Sequence, residues 1–424
     1  MARRSFVFAH LADAHVGAWP RDAGIRTALR ESVLAALRTV EERRCEFLLI
    51  SGDLFHTPVP DPAEVAPIAA AFRALATAGR RVYVIYGSHD YVAHRTSWLD
   101  VLAETGIFVR AAPAPVRTEG TRWTLPFLVD EPTGAAIAGI SGRSHGLDRE
   151  YFAAMDSEAF RAHDGFRIFQ FHAAIEEYLP PRLREHVRGV SLRDLPAGCD
   201  YYAGGHIHET YAGTGPGGGL LINPGAVFGT SVPDLEAAVA GRSKAGLVIV
   251  EVDDGVPHPE FVATAPVASM RVFDVDIEGR SPEEARTEVA SRVRAADAPG
   301  TLLFPRLRGS LREGSLGEIG LGRPDADGVR RAAAAIHWDL GAATTTPAEV
   351  AVRPEGDLIA AMVEAVGGTV PIEAGPLELA AIRELLDDLG RPPAEGEGRQ
   401  DYLRARVDGA LRILRVRPPT GGAD

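Results

Sequence analysis

Aspartate and histidine recur in this chain in short clusters, each directly after an apolar run: Asp13 and His15 in HLADAH, Asp53 in SGDLFH, Ser88, His89 and Asp90 in YGSHDY, His172 in FQFH, and His206 and His208 in GGHIH. In Asp-x-His and His-x-His, residues two apart point to one face of an extended segment, so each pair offers two ligands from one short stretch. A mixed carboxylate and imidazole set suits Mn²⁺, Fe or Zn²⁺ better than Ca²⁺, which prefers an all-oxygen shell. Asp13, His15, Asp53, His172, His206 and His208 together exceed one ordinary coordination shell. Two divalent ions are therefore expected, with a carboxylate such as Asp53 bridging them. Two cations roughly 3.5–4 Å apart serve phosphate-ester hydrolysis, because they activate a water between them and neutralise charge on the phosphoryl oxygens. A neighbouring imidazole then stabilises that charge or protonates the leaving oxygen. His89 is the candidate for this, with Asp90 expected to orient it, and His56 in SGDLFH is a second polar group at the mouth of the site.

Residues so far apart in sequence can act together only if a fold gathers them. Ligands of open α/β sheets collect at the carboxyl ends of strands, and every one of these clusters follows a run that reads as a strand. The expected strands are Ser5–Leu11, Phe47–Ser51, Val82–Tyr86, Ile137–Ile140, Ile168–Phe171, Tyr201–Ala203 and Gly246–Val252, with helices near Ile25–Arg43, Pro62–Ala78 and Trp98–Thr105. This alternation is that of a layered α/β domain. Pro257–Pro266 reads as a linker, and Met270–Ile277, Pro282–Ala296 and Leu302–Arg308 as strand, helix and strand of a smaller α+β unit. A Gly- and Pro-rich stretch, Gly314–Asp327, leads towards two expected helices, Leu377–Leu389 and Asp401–Leu414, and a disordered tail, Pro418–Asp424. His10 lies within the first strand and reads as a core histidine; His94, His145, His163, His186, His258 and His337 read as surface or structural residues.

The series DAH, GDLFH, GSHD, FH, GHIH resembles the signature of the calcineurin-like metallophosphoesterases, normally D-x-H, G-D, G-N-H-D, H and G-H-x-H, over roughly Ser5 to Val252. The resemblance implies a four-layer α/β fold, two central β-sheets flanked by helices. By position, it puts Asp13, His15, Asp53 and His208 on a first metal, Asp53, Ser88, His172 and His206 on a second, and His89 as the catalytic histidine. Ser88 stands where the family has asparagine, so the second ion is expected to bind more weakly. SGDLFHTPVPDP, INPGAVFGTS with KAGLVIVEVDDG, Met270–Ala285 and LLFPRLRGSL are similar to the narrower group of SbcD-type repair exonucleases. Those enzymes use manganese and pair with an SbcC-type ATPase that has a long coiled coil. For this chain the likeness implies a nuclease domain over residues 1–265, a DNA-capping-like α+β domain over 266–340, and a C-terminal helical region over 341–424 that binds the ATPase. It also implies DNA ends as substrate, His56 assisting exonuclease action, a homodimer, and Arg306, Arg308 and Arg312 near phosphates.

Composition constrains these expectations. The 424 residues exceed what one core supports, so two or three domains are expected. A net charge of −13, with Lys244 as the single lysine, argues against a protein that holds DNA on a broad basic face. The metal ions, local arginines and a partner would have to supply that attraction. The cysteines Cys45 and Cys199 lack metal-knuckle spacing and read as buried fillers in a reducing compartment. No run approaches the roughly 20 apolar residues of a spanning helix, and charged and polar residues interrupt the place of a signal-peptide core, so no membrane role and a cytoplasmic location are expected. The competing readings are another metallophosphoesterase, such as a small phosphodiesterase, nucleotidase or phosphatase, and a DNA-end-binding scaffold whose metal site is impaired at Ser88.

Overall fold

The computed structural model describes residues 5–91, 96–112, 115–117, 123–142 and, but for single residues, 152–321 and 332–345, with only isolated residues beyond. Two compact units divide the chain, Met1–Thr345 and Thr346–Asp424. The expected helices Leu377–Leu389 and Asp401–Leu414 and the tail lie almost wholly outside the described residues, as do His94, His145 and His186.

Within the first unit, alternation along the strands builds two facing sheets. The first contains β1 (Phe6–Leu11), β2 (Phe47–Ser51), β3 (Arg81–Ile85), β4 (Val109–Arg110), β13 (Gly246–Asp253) and β14 (Val256–Ala263). Their order is β14-β13-β1-β2-β3-β4, with β1 to β4 parallel. The second contains β7 (Leu128–Asp130), β8 (Ala135–Ile140), β9 (Arg167–Phe171), β10 (Tyr201–Ala203), β11 (Tyr211–Thr214) and β12 (Leu220–Asn223), in the order β11-β12-β10-β9-β8-β7. A short hairpin, β5 (Val116–Arg117) with β6 (Trp123–Thr124), stands apart. Phe6 and Phe8 of β1 join Phe47, Leu49, Ile137, Ile168 and Tyr201 in the core between the sheets. Ala9 and Leu11 point the other way, into a core shared with α1 (Ala23–Glu42), α2 (Pro62–Thr77) and α3 (Trp98–Glu104). The buried face of α1, Ile25, Leu29, Val33, Ala36, Leu37 and Val40, keeps the three- and four-residue spacing of an amphipathic helix. Beyond the second sheet, Phe152, Met155 and Phe160, the last on α4 (Glu158–Arg161), cover Phe169 and Phe171. The two central sheets expected from the sequence are thus present.

A third sheet holds β15 (Met270–Asp276), β16 (Leu302–Leu311), β17 (Ala335–Ile336) and β18 (Asp339–Thr345), all pairing in parallel on β16. It packs on α6 (Pro282–Ala296) through Val275, Val289, Leu303 and Leu307, while Met270, Leu302 and Phe304 reach into the helix-side core of the first sheet. The helix α5 (Val232–Val239) connects β12 of the second sheet to β13 of the first.

Two expectations need correction here. Pro257–Pro266 is no linker: most of it is β14, antiparallel to β13 at the rim of the first sheet. Proline lacks an N–H and is tolerated on an edge strand, where that group would face away from the ladder. Arg306, Arg308 and Arg312 do not form a free cationic row. Arg306 bonds Glu236 and Asp274, Arg308 bonds Asp274, and Arg312 pairs with Glu284 and Glu313. Each guanidinium is paired with a carboxylate that the sequence places at least 28 residues away, and Arg312 also with its neighbour Glu313.

Candidate metal centre

The carboxyl ends of β1, β2 and β3 from one sheet and of β9 and β10 from the other meet at one place, and the loops leaving them carry the Asp/His clusters. The first two loops are zipped by backbone hydrogen bonds, Asp13 N–H to Gly52 O (3.1 Å), His15 N–H to Asp53 O (2.9 Å) and His56 N–H to Val16 O (3.0 Å). To turn their side chains inward, Asp13, His15, Asp53 and His206 adopt positive φ, at 52°, 45°, 52° and 94°. Such left-handed backbone costs a non-glycine residue about 1–3 kcal/mol and gathers at functional sites, where the surroundings enforce it. Packing is tight enough that glycine is required at position 87: a Cβ there would lie 2.0 Å from Asp53 Oδ1.

Asp13, Asp53 and His172 offer ligand atoms all within 4.8 Å of one another, and so do Asp13, His15 and His208. His15 Nε2 lies 3.6 Å from Asp53 Oδ2 and 3.9 Å from Asp13 Oδ1; His208 Nε2 lies 4.0 Å from Asp13 Oδ1 and 3.2 Å from His15 Nε2. His172 Nδ1 donates to the Ser51 carbonyl (2.8 Å), which turns its Nε2 towards Asp53 Oδ2 at 3.3 Å. That Nε2 is buried and has no hydrogen-bond partner. In a neutral ring it is a lone pair aimed at a carboxylate, so a proton or a cation must lie between them. The donor set and this orphaned nitrogen fit divalent metal. Ser88 Oγ is 3.3 Å from Asp53 Oδ2, and His206 contributes its backbone N–H to Asp13 Oδ2 (2.9 Å) while its ring sits 5.1 Å from that of His172.

The electrostatics agree. Burial opposes charge on His172, but the Asp53 carboxylate outweighs it and pushes the imidazole up to about 10. Burial raises Asp53, yet His172 and then His15 drive it well below the usual carboxylate range. His208 is lifted to about 9 against burial by Asp234, while burial and His172 lower His206 to about 4.

His89 is exposed at the opening, its Nδ1 donating to the His56 carbonyl (2.9 Å), with the His56 ring stacked beside it at 5.1 Å. Asp90 does not orient it. The Asp90 carboxylate is buried and accepts the backbone N–H groups of Leu54 (3.2 Å), Phe55 (3.0 Å) and Gly87 (3.1 Å). The side chain one residue on from His89 turns inward, because unpaired N–H groups of two buried loops need an acceptor. His10 also stays outside the centre, bonded to Tyr201 and Ser51 and lowered to about 3 by burial. Cys45 and Cys199 are buried free thiols.

One residue of the centre escapes the motif reading. Asp234 accepts His208 Nδ1–H at 2.9 Å. The available signal was Ser231-Val-Pro-Asp234, a capping box with proline in the first helical turn, which marks a helix start.

Residues 6–210 match the family model of the calcineurin-like phosphoesterases, so the chain carries that domain and is, by class, a metal-dependent phosphoesterase. Among curated relatives, the DNA double-strand break repair protein Mre11 of Archaeoglobus fulgidus is 24% identical over 320 residues, 70% of this chain and 67% of that one. The Mre11 of Methanococcus maripaludis is 24% identical over 208 residues, 48% of this chain and 51% of that one, and the Mre11 of Aeropyrum pernix is 27% identical over 47% and 48%. The chain thus spans about two thirds of the first relative's length and about half that of the other two. Among the described residues no helix is long and apolar enough to cross a membrane.

Proposed function

We propose that this chain is a Mn²⁺-dependent DNA nuclease with exonuclease and endonuclease action, working at double-strand breaks with an SbcC-type coiled-coil ATPase, as a homodimer in the cytoplasm. The observation that carries the reading is the convergence of Asp13, His15, Asp53, His172 and His208 beside an exposed His89, on a domain whose relatives are named for DNA double-strand break repair. Asp13, His15, Asp53 and His208 would hold one ion, and Asp53, Ser88, His172 and His206 the other. Bound there, the ions would supply charge neutralisation at a phosphodiester and an activated water.

The protein's own groups do the rest. Asp53 Oδ1 accepts the His89 N–H at 2.8 Å, so the proposed bridging carboxylate also holds the segment that presents the proposed catalytic imidazole. With Nδ1 tied to the His56 carbonyl, the exposed His89 ring leaves Nε2 as the nitrogen that can stabilise the phosphoryl group or protonate a leaving oxygen. Stacked on that ring, His56 limits its rotation.

Purified protein with Mn²⁺ should cleave end-labelled linear duplex and single-stranded DNA. Asp53→Ala should abolish that cleavage and lower the amount of bound metal. Rapid turnover of nucleotides, phosphoproteins or a generic phosphodiester with intact DNA would move the substrate to another class, and wild-type turnover in Asp53→Ala would remove the two-metal assignment.

A further inference from the structure

Helix α5 begins with a capping box in which Ser231 Oγ accepts the Asp234 N–H and the Asp234 carboxylate accepts the Ser231 N–H at 3.1 Å. In an ordinary box the third-residue carboxylate serves only the helix end. Here the same oxygen, Oδ2, also accepts Thr230 N–H (2.9 Å), Thr230 Oγ1–H (3.2 Å) and His208 Nδ1–H (2.9 Å). Just before the box, the Gly229 carbonyl accepts Trp19 Nε1–H at 2.9 Å, and Trp19 follows His15 by four residues on the loop leaving β1. The start of α5 is therefore held by two of the ligand-bearing segments, those of His15 and His208.

The other side of the helix is held by the third sheet. Glu236 accepts Arg306 Nη1–H at 2.7 Å, and Arg306 on β16 also donates Nε–H to Asp274 on β15 at 2.7 Å. The Arg306 side chain is 15% exposed and that of Glu236 44%, so the pair is half-buried between helix and sheet. Residues 234 and 236 are about 200° apart around a helix, so one short, stiff element touches the site with one side and the third sheet with the other.

We propose that Asp234 is a positioning residue for His208, and that α5 makes the seating of that imidazole depend on the position of the third sheet. The inference rests on the reading of His208 as a metal ligand. Carboxylates behind ligating imidazoles fix ring orientation and basicity, and their loss weakens metal binding by about 10–100-fold. Arg306 would act through the helix, so its loss should cost less, about three- to tenfold.

The test measures Mn²⁺ binding to the full chain by titration calorimetry, apart from any nuclease assay, with circular dichroism to establish folding. Asp234→Ala should weaken one binding step about 10–100-fold and leave the other within twofold. Ser231→Ala breaks the other half of the capping box but keeps the carboxylate, and should lower the melting temperature with metal affinity nearly unchanged. Arg306→Gln should weaken the same step as Asp234→Ala. Wild-type affinity in Asp234→Ala, or an equal loss in Ser231→Ala, overturns the positioning role; unchanged affinity in Arg306→Gln overturns the link to the third sheet. No metal uptake by the wild-type chain would instead defeat the underlying reading of the site.

Discussion

Replacing Gly87 by alanine adds one methyl group where the structure has no room for it. The new Cβ would stand 2.0 Å from Asp53 Oδ1 and 2.3 Å from Asp53 N, against about 3.4 Å for an ordinary close contact. Relief requires a shift of roughly 1.4 Å between the β3 loop and Asp53, and backbone on one side of the clash cannot rotate away. Asp53 Oδ2 sits 3.3 Å from His172 Nε2 and 3.6 Å from His15 Nε2, so such a shift separates the proposed bridge from both sides of the centre. A misplacement of about 1 Å typically costs on the order of 100-fold in rate. Gly87→Ala should therefore lose at least that much turnover and bind Mn²⁺ measurably more weakly. Gly79→Ala is the control: its φ is +77° but a Cβ there meets nothing within 4 Å. It should cost about 1–2 kcal/mol of stability, through left-handed strain alone, and leave metal affinity as it was. Calorimetric metal titration and thermal melts of both variants separate strain from site damage. Wild-type affinity and turnover in Gly87→Ala would refute the reasoning.

His89→Ala should keep metal binding yet lose about 10²–10⁴-fold in the chemical step, read from metal content alongside single-turnover rates; loss of both together would make His89 a ligand. Ser88→Asn should lower the Mn²⁺ concentration for half-maximal activity and Ser88→Ala should raise it, since an amide oxygen is a better donor than a hydroxyl 3.3 Å from Asp53; superimposable titrations of all three proteins would detach position 88 from the metal. Away from the site, the buried Asp130 accepts Arg81 Nε–H (2.7 Å), Tyr83 OH (2.8 Å) and Thr133 OH (2.6 Å), and against burial these partners hold its carboxyl below the usual range. A depressed folded-state value means that its stabilisation is present above the unfolded value of about 3.9 and is lost as pH falls through the folded one. Asp130→Asn should cost about 2–3 kcal/mol at pH 7 and flatten the acid limb of a melting-temperature profile below pH 4, whereas a parallel acid limb would place the titration elsewhere.

The sequence by itself determined which side chains could meet and roughly where, because strand alternation and strand-end motifs are local. Phe6, Phe8, Ala9 and Leu11 already declare two opposite faces, and a ligand that follows its strand by one to five residues inherits the position of that strand's end. Five such loops were legible without any knowledge of pairing. Tertiary structure decided what lies behind them, since those partners are unrelated in sequence order. Asp90 stands next to His89 in the chain, yet its carboxylate serves N–H groups 35 and 36 residues away, where buried amides had no other acceptor. The same holds for Asp234 behind His208, an exposed-looking helix cap until the fold brings an imidazole against it. Pro257 and Pro259 look like linker residues until β13 offers a sheet edge that tolerates them. Arg306 looks like a free phosphate contact until Glu236 and Asp274 arrive from other elements to neutralise it. In each case local pattern specifies the element, while hydrogen-bond satisfaction and charge pairing across the fold specify its use.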